Sequence, residues 1–504
     1  MPRITYTVHA DSRIARIDPR LYGSFVEHLG RAVYTGIYEP GHPEADEQGF
    51  RQDVLELVKD IGVTTVRYPG GNFVSGFNWR DGIGPKESRP VRLDYAWISK
   101  ETNQFGIDEF ANWSQKAGVT PMIAVNLGTG TPQEAGYFLE YCNHPSGTAL
   151  SDLRAAHGRA APYDFKLWCL GNEMDGPWQT GQLSAEDYMK KARETAKIMR
   201  WIDPEISLVA CGSSHSAMPT FPEWDRIVLE GLYEHIDYIS CHQYYENEGN
   251  PKDFLASFLN MDNFIETITS TINYAKAKTR SDREVMISFD EWNVWYLKTD
   301  PWDAVFKDKA KRFQPAPPLL EDHYSFLDAL VIGGLLCTLV NHADRVKMAS
   351  LAQLVNVIAP IFTQPGGDVI RQTIFWPFQM VATYGQGYAL RSFSRCPTFE
   401  TRYGDARLVQ SALVYNEERQ QIVLFALNCD FSQQVTLALD LQGFGVTRPR
   451  TQVLLQHQDL NARNTFDQPD NVSPRTLSLQ AEPGNHHDVV LPPLSWNMLL
   501  IDIC

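Results

Sequence analysis

The sequence contains none of the short motifs that mark metal-dependent, dithiol or dinucleotide-binding enzymes. Its eight cysteines form no CxxC pair and its thirteen histidines no HExxH pair, which are the spacings that redox and zinc chemistry use. No strand-like segment runs into a GxGxxG turn, the turn that would bind a dinucleotide. We therefore predict reduced, mostly buried thiols, no metal site and no cofactor.

Positive charge and long apolar segments are also scarce. Lys and Arg number 45 against 61 Asp and Glu, a net charge of −16, and such a surface repels phosphate backbones and anionic lipid. The longest apolar run, residues 329–340, is too short to span a bilayer, and the first residues carry no apolar signal core. We expect a cytoplasmic protein that binds neither nucleic acid nor membrane.

What the chain does contain is an alternation of β-rich and helical patterns over most of its length. Helical periodicity is clear in residues 50–61, 184–202 and 261–278. The candidate strands are residues 21–26, 64–68, 120–126, 165–170, 206–212, 238–244, 285–289 and 345–351. Continuous apolar strands between helices are typical of a parallel sheet buried on both faces.

Eight such strands predict an α/β fold with a (β/α)8 TIM barrel. The alternative is an open doubly wound sheet, whose nearest glycine-rich candidate is residues 128–132. That segment has no third glycine in register, so we interpret it as a barrel loop.

The pattern changes near residue 388 to short strands with polar turns, which predicts an all-β domain. We place the barrel at residues 19–387 and a C-terminal β-sandwich, jelly-roll-like, at residues 388–504. Residues 1–18 alternate apolar and polar side chains. We expect this N-terminal segment to form a strand that pairs with the β-domain.

Two glutamates close predicted strands on opposite sides of the barrel. Glu173 follows the fourth strand in Gly-Asn-Glu, and Glu291 follows the seventh in Asp-Glu-Trp-Asn. Most isolated glutamates are solvated loop residues, but reactive groups of such barrels lie where strands end in loops. Two carboxylates that face each other across the barrel are what glycoside hydrolysis by double displacement requires. We therefore predict that Glu173 and Glu291 are the catalytic pair.

Six segments in order carry a resemblance to a known family. They are residues 23–28 (GSFVEH), 67–73 (RYPGGNF), 171–178 (GNEMDGPW), 242–245 (HQYY), 290–295 (DEWNVW) and 352–356 (AQLVN). Each segment alone is weak evidence for a family, but together the six segments resemble the α-L-arabinofuranosidases of glycoside hydrolase family 51 over nearly the whole chain. Members of that clan place the acid on the fourth strand and the nucleophile on the seventh.

The resemblance implies a role for each residue around the pair. Glu291 would attack the anomeric carbon, and Glu173 would protonate the leaving oxygen and then deprotonate water, with the carboxyl groups about 5 to 5.5 Å apart. Glu27, Asn72, Asn172 and Gln353 would hydrogen-bond the furanose, and Tyr244 would contact the nucleophile beside it. Separately from the resemblance, Trp97 and Trp178 occupy loop or strand-end positions where an indole can stack on a sugar or wall the pocket, with core packing as the alternative. A second layer would comprise Arg67, His242 and Trp295. An ion pair, a core histidine and core packing are the structural alternatives for these three.

The implied activity is retaining, exo-acting release of terminal non-reducing α-L-arabinofuranosyl units from arabino- and arabinoxylo-oligosaccharides, without a cofactor. Resemblance also implies a homo-oligomer, a hexamer in many family members. Two alternatives stay open. One is another retaining glycosidase, such as an endo-glucanase or xylosidase, and the other is a catalytically silent barrel that binds sugar.

Overall fold

A computed structural model describes residues 2–504 of the protein. The strands in chain order are β1 (Arg3–Arg16), β2 (Gly23–Phe25), β3 (Thr65–Tyr68), β4 (Arg92–Asp94), β5 (Ser99–Glu101), β6 (Thr120–Ala124), β7 (Leu167–Leu170), β8 (Ser207–Ala210), β9 (Tyr238–Tyr245), β10 (Met286–Val294), β11 (Val346–Leu351), β12 (Ile361–Thr363), β13 (Val369–Arg371), β14 (Tyr388–Ser394), β15 (Thr398–Thr401), β16 (Gly404–Arg407), β17 (Val409–Asn416), β18 (Gln421–Asn428), β19 (Val435–Gln442), β20 (Thr447–Leu455), β21 (Arg475–Ser478), β22 (His486–Leu491) and β23 (Ser495–Ile503).

Ten α-helices lie between and beside these strands in residues 2–504. They are α1 (Gln52–Ile61), α2 (Ile107–Ala117), α3 (Pro132–Asn143), α4 (Ala149–Ala156), α5 (Ala185–Ile202), α6 (Glu223–Leu232), α7 (Pro251–Leu255), α8 (Ser257–Thr279), α9 (Phe326–Asn341) and α10 (Phe375–Tyr384). Short 3-10 helices occupy Pro19–Tyr22, Asn72–Gly76, Trp79–Gly82, Lys86–Ser88, Trp302–Lys307 and Lys309–Lys311.

Eight strands close into a barrel in the order β10-β11-β2-β3-β6-β7-β8-β9, and each neighbouring pair is parallel. The predicted (β/α)8 barrel is therefore confirmed, with all eight strands close to their expected places. The seventh strand differs in length. It was expected to end at residue 289, but β10 continues to Val294, so Glu291 lies inside a strand rather than in a loop.

The helices that surround the barrel follow from apolar periodicity and from their end residues. In α1, Val54, Val58 and Ile61 are buried because residues three and four apart share one face of a helix. Gly62 ends this helix in the left-handed region, at φ 81°, a conformation that costs glycine little. The N-cap of α5 is Ser184, whose side chain accepts a hydrogen bond from a backbone N–H of the first turn.

The long apolar run at residues 329–340 forms most of α9, a helix at the centre of the molecule. Every residue from Phe326 to Val340 is buried. One side of the helix meets the β-domain so closely that a Cβ atom on Gly333 would lie 2.5 Å from the Trp496 ring. Within residues 2–504, the structure has no helix with the length and apolar character needed to cross a membrane.

The C-terminal all-β domain contains a nine-stranded sheet, in which β1 lies between β14 and β19. β1 runs antiparallel to β14 and parallel to β19. Side chains alternate between two cores along β18. Ile422 and Leu424 pack inside the β-domain, whereas Val423 and Phe425 join the barrel core. The two domains therefore pack against each other through an extensive apolar interface on one side of the barrel.

Candidate active site

Glu173 lies just after the fourth barrel strand, in a strained backbone conformation. Its φ of 42° is in the left-handed region, which costs a residue other than glycine about 1–3 kcal/mol and is found mainly at functional sites. The carboxylate is held at both oxygens. Oε1 lies 2.9 Å from His242 Nδ1, and Oε2 accepts a 2.6 Å hydrogen bond from the Trp178 indole.

Glu291 lies on β10 where the pairing with β9 shifts register, between Ser288 and Glu291. Consecutive side chains of a regular strand point to opposite faces. The irregularity lets Asp290 and Glu291 both contact the same site, which is a common use of strand irregularities near active sites. Glu291 Oε1 accepts a 2.6 Å bond from Arg67, and Oε2 a 2.9 Å bond from the Tyr244 hydroxyl.

The two glutamates are close together. A carboxylate oxygen of Glu173 lies within 4.8 Å of one of Glu291. This distance fits the short carboxyl separation of retaining glycosidases, about 5–5.5 Å, and not the separation of about 6.5–9.5 Å that inverting enzymes need for a water molecule.

Burial and neighbouring charges shift the pKa values of the buried carboxyl groups in different directions. Burial raises the pKa of Glu173, and the negative charge of Glu291 raises it further. Burial alone would also raise the pKa of Asp290, but Arg67 and His242 outweigh that effect and lower it. The site therefore combines a carboxyl group that retains its proton with a carboxylate that stays ionised, the arrangement used for acid catalysis by one of two neighbouring acids.

Glu27 forms a second buried acidic centre at the end of the first barrel strand. Its Oε1 accepts hydrogen bonds of 2.9 Å from Phe73 N and from Trp97 Nε1. Gln353 donates to Oε2 at 3.3 Å and accepts from the backbone N–H of Glu27 at 3.0 Å. Burial raises the pKa of Glu27 to about 8. Gly71 permits this packing, because a Cβ atom there would lie 2.2 Å from Glu27 Oε2.

The two asparagines of the candidate site are placed differently. Asn172 Oδ1 accepts a 2.7 Å bond from Arg67, and its amide nitrogen donates to Gln179 at 3.4 Å. Asn72 begins the 3-10 helix beside Phe73 and is half-buried. Within residues 2–504 its side chain makes no hydrogen bond. Arg67 thus links Asn172 to the nucleophile candidate, and the amide of Asn72 remains available to a ligand.

Three tryptophans surround the carboxylates. Trp97 is buried and meets Trp302 edge-on at 5.2 Å, while Trp295 packs edge-on against Tyr244 at 5.0 Å. Trp178 is 46% exposed and lies parallel to the His215 ring at 6.0 Å. Trp97 and Trp295 therefore support polar residues of the site, whereas Trp178 presents an aromatic face to solvent directly beside Glu173.

Sequence reasoning missed three residues that the structure brings into or beside the site. Asp290 contacts His242 and accepts a 2.7 Å bond from Ser240 Oγ, and Trp302 packs on Trp97. Ser240 could have been found from the spacing of Ser240, His242 and Tyr244, since residues two apart on a strand share a face. Trp302 begins a short 3-10 helix, and its sequence has no comparable signal.

The same site also includes ligand types that a metal ion could use. In residues 2–504, Glu173, His242 and Glu291 each offer one atom within 4.8 Å of the others. Both carboxylates already have partners, because Trp178 donates to Glu173 and Arg67 to Glu291. The residues present favour acid–base and nucleophilic chemistry by carboxyl groups.

Sequence profiles of known families match two long parts of the chain. The profile described as "Alpha-L-arabinofuranosidase 1 domain" matches residues 57–266. The profile described as "Alpha-L-arabinofuranosidase C-terminal domain" matches residues 290–495, which include Glu291, the end of the barrel and most of the β-domain.

Curated relatives and solved structures resemble the chain over nearly its full length. An "Intracellular exo-alpha-(1->5)-L-arabinofuranosidase 1" of Bacillus subtilis (strain 168) is 47% identical, with 99% of each chain covered. An "Exo-alpha-(1->6)-L-arabinofuranosidase" of Bifidobacterium longum is 49% identical, covering 97% of this chain and 95% of the relative. The structure of a family 51 alpha-L-arabinofuranosidase from Bifidobacterium longum superposes with a TM-score of 0.94 at 44% identity and 99% coverage of both chains.

Proposed function

Since the chain belongs to the family 51 α-L-arabinofuranosidases, we propose that it releases terminal non-reducing α-L-arabinofuranosyl units from oligosaccharides with retention of configuration. The observation that carries the proposal is the short distance between Glu173, just after the fourth strand, and Glu291, inside the seventh, whose carboxylate oxygens lie within 4.8 Å. The protein is accordingly an exo-acting glycoside hydrolase.

In the first step Glu291 attacks the anomeric carbon while Glu173 donates its proton to the departing glycosidic oxygen. The C–O bond to the leaving group breaks, and an ester bond to Glu291 forms. Two features support these roles. The pKa of Glu173 is raised by burial and by its neighbour, so that it carries a proton to donate. Arg67 and Tyr244 hold the oxygens of Glu291 and so orient the nucleophile.

In the second step the roles reverse. Ester formation removes the negative charge of Glu291, which lowers the pKa of Glu173 and favours its ionised form. Glu173 then takes a proton from water, the resulting hydroxide attacks the anomeric carbon, and the ester bond to Glu291 breaks. Both displacements invert the anomeric centre, so the sugar leaves with its original configuration.

Recognition of the furanose depends on polar groups that surround the carboxylates. Glu27, Asn72, Asn172 and Gln353 offer hydrogen-bonding groups to the sugar, and buried Trp97 encloses it. A sugar without a matching hydroxyl would leave one of these groups unpaired at a cost of about 1–3 kcal/mol each. Such losses give strong discrimination between related sugars.

The leaving group lies on the side of Glu173. Trp178 is 46% exposed, donates to Glu173 and stacks with His215, which offers an aromatic face to the C–H surface of the next sugar. The relatives named above differ between (1→5) and (1→6) linkages. The natural substrates we propose are arabinose-containing oligosaccharides from arabinan or arabinoxylan, and rates on a panel of linkages would rank them.

The proposal is tested by assays on a chromogenic α-L-arabinofuranoside and on an arabino-oligosaccharide, whose sugar leaving group is poor. The proteins compared are the wild type, Glu173→Ala, Glu291→Ala and a control, Glu400→Ala, an exposed residue of β15. We expect the control to match the wild type. Glu291→Ala should be essentially inactive, and Glu173→Ala should lose about 10²- to 10⁴-fold on a substrate with a poor leaving group. Proton NMR should show the α-anomer of arabinose as the first product.

Other outcomes would identify the alternatives. Preferential release of xylose, or internal cleavage of a glucan, would indicate another retaining glycosidase. A folded wild type that binds oligosaccharides but hydrolyses none of them would indicate a silent sugar-binding barrel. A first-formed β-anomer would contradict the double displacement.

We also propose that the protein works in the cytoplasm on fragments produced during arabinan breakdown, as a homohexamer. The word "intracellular" in the names of several relatives supports the location. Light scattering coupled to size-exclusion chromatography would measure the oligomer, and a mass of six chains is expected. A monomeric mass would contradict this part of the proposal.

A further inference from the structure

A histidine bridges the catalytic glutamates to a third buried carboxylate. His242 Nδ1 lies 2.9 Å from Glu173 Oε1 and 3.5 Å from Glu291 Oε2, and its Nε2 lies 3.2 Å from Asp290 Oδ1. We infer that Asp290 holds His242 as a permanent imidazolium whose positive charge sets the protonation cycle of Glu173. The inference rests on the proposed function and makes His242 and Asp290 positioning residues for that reaction.

The hydrogen-bond directions around the ring support the doubly protonated form. Ser240 Oγ lies 2.7 Å from Asp290 Oδ1 and 3.1 Å from His242 Nε2. The ionised carboxylate can only accept, so the serine hydroxyl donates to Asp290 and turns a lone pair toward the ring. Nε2 therefore faces two acceptors, and it can satisfy them only as an N–H.

The other ring nitrogen has the same requirement. Nδ1 faces carboxylate oxygens of Glu173 and Glu291. Only a protonated imidazole donates from both nitrogens. Burial alone would lower the pKa of His242, but the surrounding carboxylates outweigh it and raise that pKa to about 10, which agrees with the geometry.

Asp290 is itself fixed in its ionised form. It is fully buried, accepts from Ser240, and has Arg67 Nε 3.9 Å from its second oxygen. Arg67 also donates to Glu291. The two cations, Arg67 and His242, therefore match two ionised carboxylates, Asp290 and Glu291, which leaves Glu173 as the group that carries a proton.

The same charge balance drives the second step. When Glu291 becomes an ester, the cluster has one positive charge in excess as long as Glu173 is protonated, and loss of that proton restores neutrality. Two further acids face the cluster at longer range. Burial raises the pKa of both Glu27 and Asp175, to about 8 for Glu27. Glu27 is therefore neutral below that pH and leaves the charge balance of the cluster unchanged.

The test compares the pH profiles of kcat/KM for His242→Asn and Asp290→Asn. In His242→Asn the cation that lowers the pKa of Glu173 is absent, so the alkaline limb of the profile should move toward higher pH by about 1–3 units. In Asp290→Asn the imidazole loses its ionised partner, so His242 should release its proton at lower pH and the same limb should move in the same direction by a smaller amount. A purely structural role would lower the rate of both variants without moving this limb.

A second measurement needs no variant. In the wild type labelled with ¹⁵N-histidine, NMR should show one imidazole that stays doubly protonated up to about pH 9, whereas ordinary histidines titrate near pH 6.5. The inference is wrong if all thirteen histidines are neutral at that pH, or if the alkaline limb moves in neither variant. An inactive wild type that retains the protonated histidine would instead overturn the proposed function.

Discussion

Removal of the hydroxyl group of Tyr244 tests whether its hydrogen bond supports Glu291, the proposed nucleophile. The hydroxyl donates to Glu291 Oε2 at 2.9 Å, and the ring packs on Trp295, a contact that Phe would keep. A hydrogen bond to a charged group contributes about 1.5–3 kcal/mol, which corresponds to about 10- to 150-fold in rate. We therefore expect Tyr244→Phe to lower kcat/KM on a chromogenic arabinofuranoside by that factor, with an unchanged melting temperature.

The next residue supplies a matched control. Tyr245 is 4% exposed, and its hydroxyl has no hydrogen-bond partner within residues 2–504. Tyr245→Phe removes the same atom from the adjacent position of the same strand and should leave kcat/KM within about twofold of the wild type, since no interaction is lost. Equal rates for Tyr244→Phe and Tyr245→Phe would refute the role given to Tyr244.

Three further predictions concern Glu27 and the domain interface. In Gly71→Ala the new Cβ would lie 2.2 Å from Glu27 Oε2, so Glu27 should be displaced and kcat/KM should fall at least about tenfold because a binding group is misplaced. The control Gly76→Ala has no neighbour nearer than 3.6 Å and should keep the kcat/KM of the wild type. Gly333→Ala should lower the free energy of unfolding by about 1–3 kcal/mol, seen in denaturant titration, because its Cβ would meet Trp496; an unchanged midpoint would contradict the close packing. The pKa of Glu27 rises from 4.5 to about 8 on burial, so its contribution to stability is fully present below about pH 4.5 and is lost as the pH rises through 8. As the pH rises over this window, the melting temperature of Glu27→Gln should fall less than that of the wild type. An equal fall in melting temperature with pH for the two proteins would count against the raised pKa of Glu27.

The fold and the proposed catalytic pair follow from features that are local in the sequence. Strands buried on both faces give continuous apolar runs such as β7, so their number and order were readable. Glu173 was readable because a polar residue ended such a run. The family resemblance then supplied the roles of Asn172 and Tyr244, which local patterns alone do not give.

The contribution of Asp290 could not be predicted in the same way. A regular strand would turn Asp290 and Glu291 to opposite faces, and only the register shift between β9 and β10 brings both to one site. Register depends on pairing between residues distant in sequence, which one chain does not reveal. The length of β10 was misjudged for the same reason, since its end is set by pairing with β9.

The most direct test of the central claim is to locate the covalent intermediate. Glu173→Gln removes the base of the second step, so an arabinofuranoside with a good leaving group should still react at Glu291 and then remain attached. Mass spectrometry of the digested protein should show one pentosyl unit on the peptide that contains Glu291. A pentosyl unit on another residue, or turnover with no attached sugar at any time, would contradict the account.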